Sequence, residues 1–271
     1  MDRADPALSV RTPAERVGVS RASLYYRPRP PQPATVALYH RIDELDTATP
    51  FYGSRRLTVV LRQEGYLVNR KRIQPAMLAM GIPGLAPGPA TRRPHPAHAV
   101  YPDWLRGVTA AYPHHVGGID MTYIRLRGAW LYVVAVLDGF SRYVGSWEVS
   151  ATLSFPFGQP AAERALAQAT PVIGNHDQGS PFTRPHYTAR LEAAGVQISL
   201  DGRGRAFDTI FTERWWRNVK YEEVSLHDDR TPREARQGLT RYLTFYNTGR
   251  PHQALGYATP AAVYTGEVTL K

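Results

Sequence analysis

The chain has 271 residues, of which 43% are hydrophobic, so it can bury a substantial core in one large domain or a few small ones. Its 33 Lys and Arg residues exceed its 23 Asp and Glu residues, and the resulting formal charge of +10 favours a polyanionic partner such as nucleic acid. The sequence contains no cysteine, no signal-peptide core and no apolar run long enough to cross a bilayer, which excludes disulfides, thiolate-bound zinc and membrane insertion.

Two proline-rich stretches, at residues 27–33 and 81–96, divide the chain, because proline at this density ends helices and strands. The resulting domain prediction has four parts. These are a helix-turn-helix segment at 1–30, a second helix-turn-helix domain at 36–85, a proline-rich linker at 86–108, and a large domain at 109–271 that includes C-terminal helices.

The first segment has the spacing of a helix-turn-helix motif. Ala14 allows two helices to approach, Gly18 turns the chain, Ser20 can cap the second helix, and Leu24 packs inward. Arg21 is the candidate DNA-binding residue of this segment. An ordinary helical hairpin without DNA contact is the alternative.

In the second domain, Asn69 is positioned to cap a helix whose first turn contains three cations. These are Arg70, Lys71 and Arg72, and because a helix dipole disfavours cations at its N-terminus, a DNA phosphate is one explanation for them. A solvated basic surface is the other. Pro75 lies inside the same helix, and we expect it either to kink the helix or to delay its start.

From about residue 116 the pattern changes to strands. Three strands are predicted near 119–124, 130–137 and 143–149, with a turn at Asp138-Gly139 between the second and third. Helices and strands then alternate, with a helix from about Pro160, a strand at 172–173, a helix at 187–194 and a strand at 196–200. Two helices, near 207–221 and 232–246, end the chain. This order predicts an α/β fold in which a mixed sheet carries helices on both faces.

Three carboxylates are the candidate functional residues of this fold. Asp120 interrupts an otherwise apolar strand, and Asp177 follows a strand end, where open α/β sheets place their ligands. Glu213 lies on a helix and projects away from its predicted buried stripe, on the side that also bears Arg217 and Lys220. The residues of that stripe recur every four positions: Phe207, Phe211, Trp215 and Val219. Taken singly, each has an ordinary alternative: a turn or cap for either aspartate, and a surface pair with Arg217 for Glu213.

Taken together, with 35 residues between Asp177 and Glu213, the carboxylates resemble the Asp-Asp-35-Glu signature of retroviral-integrase-like transposases of bacterial insertion sequences. PFYGSRRL at 50–57 resembles the helix-turn-helix that precedes that catalytic core. Further segments that resemble the group are DMTYI at 120–124, WLY at 130–132, VLDGFSR at 136–142, DQGS at 177–180, ERWWRNVKYE at 213–222, FYN at 245–247 and RPHQAL at 250–255.

The resemblance implies a ribonuclease-H-like core and a DNA transposase. It further implies that Asp120, Asp177 and Glu213 are both the catalytic residues and the ligands of two Mg²⁺ or Mn²⁺ ions. Strand cleavage by water and transfer of the freed 3′-hydroxyl to target DNA would follow. The implied partners are double-stranded DNA, further copies of the chain, and a protein from an upstream overlapping reading frame; the expected location is the bacterial cytoplasm, at the nucleoid.

Several other residues have alternative interpretations. Asp138 is expected to serve the hairpin turn, and His114-His115 lack the cysteine partners of a zinc site. Asp201 and Asp208 are interpreted as loop or cap residues. The sequence departs from the family pattern at three residues: His176, Thr209 and Pro75. A catalytically silent DNA-binding relative therefore remains the alternative function, while a ribonuclease or repair nuclease is disfavoured by the two N-terminal helix-turn-helix pieces.

Overall fold

The computed structural model describes residues 18, 20, 32–82, 108–152, 158–176, 185–200 and 210–270. Several of the residues singled out above lie outside the described residues: Ala14, Arg21, Leu24, Asp177, Asp201, Phe207, Asp208 and Thr209. The described part of the first helix-turn-helix segment includes Gly18, whose φ of 68° is the left-handed conformation that a turn glycine adopts readily.

Among the described residues, three helices precede the sheet: α1 (Pro33–Ala48), α2 (Ser54–Gln63) and α3 (Arg70–Ala79). The first of them is absent from the predicted elements, because its sequence begins in a proline-rich stretch. Pro33 occupies one of the first helical positions, where the missing N–H removes no intrahelical hydrogen bond. The three helices enclose one hydrophobic core that includes Leu38, Ile42, Leu57, Leu61, Ile73 and Met77.

Helix α3 begins where the sequence predicts. The side chain of Asn69 accepts a hydrogen bond from the backbone N–H of Arg72 at 3.0 Å, which satisfies one of the open donors of the first turn. The helix continues through Pro75 to Ala79, so the alternative of a delayed start is wrong. The cap at Asn69 accounts for this, since it stabilises the turn before the proline.

The sheet has five strands: β1 (Val116–Leu126), β2 (Ala129–Asp138), β3 (Val144–Ser150), β4 (Ile173–His176) and β5 (Gln197–Leu200). Their order is β3-β2-β1-β4-β5. The first three form an antiparallel meander, whereas β4 pairs in parallel with β1, and β5 in parallel with β4. The predicted α/β class with a mixed sheet is confirmed.

Helices cover both faces of this sheet. Helices α4 (Gln159–Gln168) and α5 (Pro185–Ala193) pack on the face that includes Ile119 and Val134. Helices α6 (Ile210–Glu222) and α7 (Pro232–Thr248) pack on the opposite face, against Ile124 and Val133. Two short 3-10 turns (Val224–Leu226 and Gln253–Leu255) and α8 (Pro260–Tyr264) complete the C-terminal part. No helix in the described part of the chain is long and apolar enough to cross a membrane.

The three-helix domain and the sheet domain meet at a buried carboxylate, that of Glu222 at the end of α6. One of its oxygens accepts hydrogen bonds from Arg250 Nε at 2.6 Å and from the Tyr242 hydroxyl at 2.9 Å. The other accepts from Arg250 Nη2 at 2.5 Å and from Arg56 Nη1 of α2 at 3.3 Å. The Glu222 carboxylate therefore links α2 of the three-helix domain to α6 and α7 of the sheet domain.

Candidate active site

Asp120 lies on the central strand of the sheet and faces helix α6. One of its carboxylate oxygens accepts a hydrogen bond from Trp216 Nε1 at 3.0 Å, and the other accepts from the backbone N–H of Met121 at 2.7 Å. The Asp120 side chain is half-buried, whereas Trp216 is buried. A carboxylate oxygen has two acceptor sites, so neither of these two hydrogen bonds uses the whole acceptor capacity of its oxygen.

Glu213 occupies the first turn of α6 and is exposed. It precedes Trp216 by three residues, so the two side chains are neighbours on the helix surface. The hydrogen bond from Trp216 to Asp120 thus fixes the turn that bears Glu213 against the strand that bears Asp120. The positive end of the helix dipole also favours a carboxylate at this position.

Gly118 allows this turn of α6 to approach the sheet closely. A Cβ atom at Gly118 would lie 2.6 Å from Phe211 Cζ and 2.9 Å from Thr212 Cγ2, too close for any side chain unless Phe211, Thr212 or the helix that bears them shifts. Gly118 precedes Asp120 by two residues, and Thr212 directly precedes Glu213. The close approach therefore occurs between the two segments that bear the described carboxylates.

The third predicted carboxylate, Asp177, lies outside the described residues. The strand before it is described, and His176 at its end is paired with Ile119 of β1 in parallel register. His176 is buried, and its ring lies 5.8 Å from that of Tyr187, in an edge-to-face arrangement on the sheet face opposite α6. The departure from the family pattern at His176 is therefore accommodated by packing against α5.

The described residues contain no group of three or more His, Cys, Asp or Glu side chains that could hold a metal ion. Asp120 and Glu213 are the two members of the predicted triad among them. The carboxylate chemistry of these two residues suits Mg²⁺, which prefers oxygen ligands.

The predicted DNA-binding residues that the structure describes lie on two separate helices. Arg217 and Lys220 lie one and two turns after Glu213 on α6, and the Lys220 Nζ is 5.5 Å from the centre of the Tyr123 ring. The other predicted cations, Arg70, Lys71 and Arg72, are exposed in the first turn of α3.

Asp138 serves the hairpin turn, as the sequence predicts. Its Oδ1 accepts hydrogen bonds from the backbone N–H and the hydroxyl of Ser141, at 2.7 and 2.6 Å. Its Oδ2 accepts from the backbone N–H of His114 at 2.7 Å. The neighbouring His115 stacks on Tyr112, with ring centres 4.7 Å apart. Both histidines and Asp138 thus have structural roles.

Sequence reasoning missed the parts played by Trp216 and Gly118. The predicted stripe of α6 includes Trp215, which is buried as expected, but it omits the adjacent Trp216. Trp216 lies 96 positions from its partner Asp120, so no local pattern indicates the bond between them. For Gly118, the pair Gly117-Gly118 at the strand start was the available signal.

Comparison with known proteins defines the class of this fold and site. A family model described as "Integrase core domain" matches residues 111–206, and another with the same description matches residues 194–260. A model described as "HTH-like domain" matches residues 34–89. The chain is therefore an integrase-core protein with a preceding helix-turn-helix-like domain.

The curated relatives narrow this class to a family. The transposase for insertion sequence element IS904 of Lactococcus lactis is 30% identical over 218 residues, which cover 77% of this chain and 85% of the relative. The transposase for IS629 of Shigella sonnei is 28% identical, over 78% of this chain and 72% of the relative. A simian T-cell lymphotropic virus intasome structure is more distant: 14% identity and a TM-score of 0.49, over 82% of this chain and 73% of that chain. The chain belongs to the family of insertion-sequence transposases.

Proposed function

We propose that this chain is an active, metal-dependent DNA transposase whose catalytic residues are Asp120, Asp177 and Glu213. The observation that supports this most is the hydrogen bond from Trp216 to Asp120, because it holds the turn of α6 that bears Glu213 against β1. The close approach of α6 at Gly118 supports the same placement. Asp177 follows β4, the parallel neighbour of β1, and we assign it as the third carboxylate.

The three carboxylates would hold two Mg²⁺ or Mn²⁺ ions. When bound, such a pair activates the attacking oxygen and stabilises the leaving oxygen of a phosphodiester. The residues of the chain would then have distinct roles. Asp120 would present its carboxylate from β1, Glu213 from α6, and Asp177 from the segment that follows β4. Trp216 orients Asp120 through its indole N–H. Water attacks the phosphorus and the P–O3′ bond breaks, which leaves a 3′-hydroxyl end and a 5′-phosphate. The 3′-hydroxyl then attacks a phosphodiester of the target DNA, and the target's own 3′-oxygen leaves as the two DNAs are joined.

The partner of this reaction is double-stranded DNA, including the transposon ends and the target. Arg217 and Lys220 extend from Glu213 along α6, where they can contact the phosphates of the DNA end. The N-terminus of α3 has three exposed cations in its first turn: Arg70, Lys71 and Arg72. The helix dipole disfavours positive charge at that end, and a bound DNA phosphate would explain why the cations are there. Arg21 is assigned to the same role in the first helix-turn-helix segment.

The need to join two transposon ends favours assembly of several copies of the chain. A transposase must hold two transposon ends at once, so we propose that two or more copies of the chain assemble on DNA. A protein encoded in an upstream overlapping frame is a further proposed partner.

Strand cleavage by amide variants tests the proposal. The substrate is duplex DNA that carries the inverted repeats flanking the gene, and the variants are Asp120→Asn, Asp177→Asn and Glu213→Gln, each with Mg²⁺. Every variant should bind the substrate and fold normally but lose cleavage, because an amide cannot replace a carboxylate as an anionic metal ligand. The exposed acidic residue Glu192 of α5 supplies a matched control, since Glu192→Gln should cleave normally.

An amide variant that cleaves at a near-normal rate would show that its residue is not catalytic. A wild-type chain that binds the repeats but never cleaves them, with Mg²⁺ or with Mn²⁺, would instead identify a catalytically silent DNA-binding relative.

A further inference from the structure

The end of the β1–β2 hairpin presents two aromatic side chains to solvent. On the face covered by α4 and α5, Met121 and Tyr132 still pack against the hydrophobic cluster beneath those helices. Beyond them, Tyr123 is 47% exposed and Trp130 is 50% exposed. Their ring centres are 5.2 Å apart in an edge-to-face arrangement. Contiguous exposed apolar surface, rimmed by polar residues, is typical of interaction sites.

A cation contacts each of these rings. Arg125, directly opposite Trp130 in the strand register, has its guanidinium carbon 5.8 Å from the centre of the Trp130 ring. Lys220 has its ammonium nitrogen 5.5 Å from the centre of the Tyr123 ring. We call Tyr123, Arg125, Trp130 and Lys220 the aromatic–cation patch.

Lys220 connects the patch to the candidate active site. It belongs to α6, which packs on the other face of the sheet. Strand β1 pairs with β4 only as far as Ile119, so the following part of that β1 edge has no strand neighbour among the described residues. Along this edge the Lys220 side chain can reach Tyr123.

Two elements place the patch at a similar distance from the candidate catalytic carboxylates. Tyr123 lies three residues after Asp120 on β1, which corresponds to roughly 10 Å along a strand. Lys220 lies seven residues after Glu213 on α6, which also corresponds to roughly 10 Å along a helix. Asp120 and Tyr123 point to opposite faces of the sheet, so a DNA strand held at the carboxylates would reach the patch around the β1 edge, where Lys220 contacts Tyr123.

We propose that the aromatic–cation patch binds unpaired DNA bases close to the site of strand cleavage. This inference rests on the proposed function. The two rings offer aromatic surfaces on which bases stack irrespective of sequence. Arg125 and Lys220 are positive, which complements the phosphates that link such bases. A peptide or a second protein would not require cations at both rings.

The test compares two DNA probes with the full chain at one salt concentration. One probe is a blunt duplex, and the other is the same duplex with a five-nucleotide single-stranded extension of mixed sequence. Fluorescence anisotropy should show that the wild-type chain binds the extended probe more tightly. Trp130→Ala and Tyr123→Ala should each reduce that advantage by about 5-fold or more, the usual contribution of one stacked base, while blunt-duplex affinity stays unchanged.

Two further variants separate stacking from general effects. Trp130→Phe keeps an aromatic surface and should retain most of the advantage. Tyr112→Ala removes an aromatic of similar exposure, 51%, from the chain segment before the opposite end of β1, and should change neither affinity.

Equal affinities of Trp130→Ala and the wild-type chain for the extended probe would overturn the proposal. It would also be overturned if Trp130→Ala altered the oligomeric state in sedimentation without any change in extended-probe affinity, since the patch would then be a contact between copies. The assay measures binding alone, so the two proposals can fail separately. If the wild-type chain binds the extended probe more tightly, Trp130→Ala loses that preference, and the chain never cleaves DNA, the result would support the patch and count against the proposed transposase activity.

Discussion

Replacement of Glu222 by glutamine should destabilise the whole chain, because this carboxylate balances a buried positive charge. Glu222 is 6% exposed and Arg250 is 1% exposed, so neither can be hydrated when its partner is removed. Arg250 donates two hydrogen bonds to Glu222, at 2.6 and 2.5 Å, and Tyr242 and Arg56 donate one each. The amide keeps the shape of the side chain but removes the negative charge.

The expected loss is large on the scale of single substitutions. Removal of one partner from a buried ion pair costs about 3–5 kcal/mol, since the other charge is left buried and uncompensated. An independent estimate gives a similar figure, because two or three charge-assisted hydrogen bonds at about 1.5 kcal/mol or more each are weakened. Glu222→Gln should therefore lower the free energy of unfolding by about 3–5 kcal/mol.

Urea unfolding, followed by tryptophan fluorescence, measures this loss in the wild-type chain and the variant. Glu64→Gln is the matched control, because Glu64 forms a comparable two-bond pair with Arg41 on the surface, where water screens it. We expect the control to unfold close to the wild-type midpoint. A Glu222→Gln midpoint equal to that of Glu64→Gln would refute the role of Glu222 as the charge that holds the two domains and α7 together.

Three further predictions follow from individual contacts. Gly118→Ala should displace α6 through a clash with Phe211 and lower both cleavage rate and stability, whereas Gly53→Ala, with no atom within 4 Å of the added carbon, should retain cleavage activity. Lys220→Ala should weaken DNA binding and reduce the slope of affinity against salt by about one phosphate equivalent. Burial, together with nearby arginines, lowers the pKa of His252 to about 3, so the folded chain keeps this residue neutral while the unfolded chain protonates it below its ordinary pKa of 6.5. Stability should thus fall as the pH drops from 6.5 toward 3, and His252→Gln should lose part of that dependence in urea titrations at several pH values.

Each of these predictions has a contradicting result. For Gly118→Ala it is cleavage and stability at the wild-type level. For Lys220→Ala it is an unchanged salt slope, which would remove the phosphate role of that residue. For His252→Gln it is the same decline of stability with acid as in the wild-type chain.

Local patterns were sufficient to predict the sheet and most of its helices. Alternation of apolar and polar residues located β1, and the repeat of aromatic residues located α6, because both periods follow directly from backbone geometry. The helix that begins at Pro33 escaped prediction, since proline density indicates a spacer equally well. The end of α7 at Thr248, rather than near Tyr246, is a difference of two residues at a helix terminus.

The sequence proposes the residues of the candidate site but not the contacts that position them. The spacing of the carboxylates and the motifs around them single out Asp120 and Glu213 as candidates, and their catalytic role stays a prediction. The indole of Trp216 on Asp120 and the close approach at Gly118 depend on how α6 docks on the sheet, which no sequence period encodes. The same holds for the contact between Lys220 and Tyr123, which joins residues almost a hundred positions apart.

Replacement of one non-bridging oxygen by sulfur at the scissile phosphate tests the central claim most directly. Mg²⁺ binds sulfur poorly, whereas the softer Mn²⁺ accepts it, so the effect of sulfur reveals a metal ion at the reacting phosphate. In single-turnover cleavage of the modified end DNA, the wild-type chain should be much slower with Mg²⁺ and should recover with Mn²⁺. An equal effect of sulfur with both metals, or cleavage that persists in excess chelator, would contradict metal-dependent catalysis at Asp120, Asp177 and Glu213.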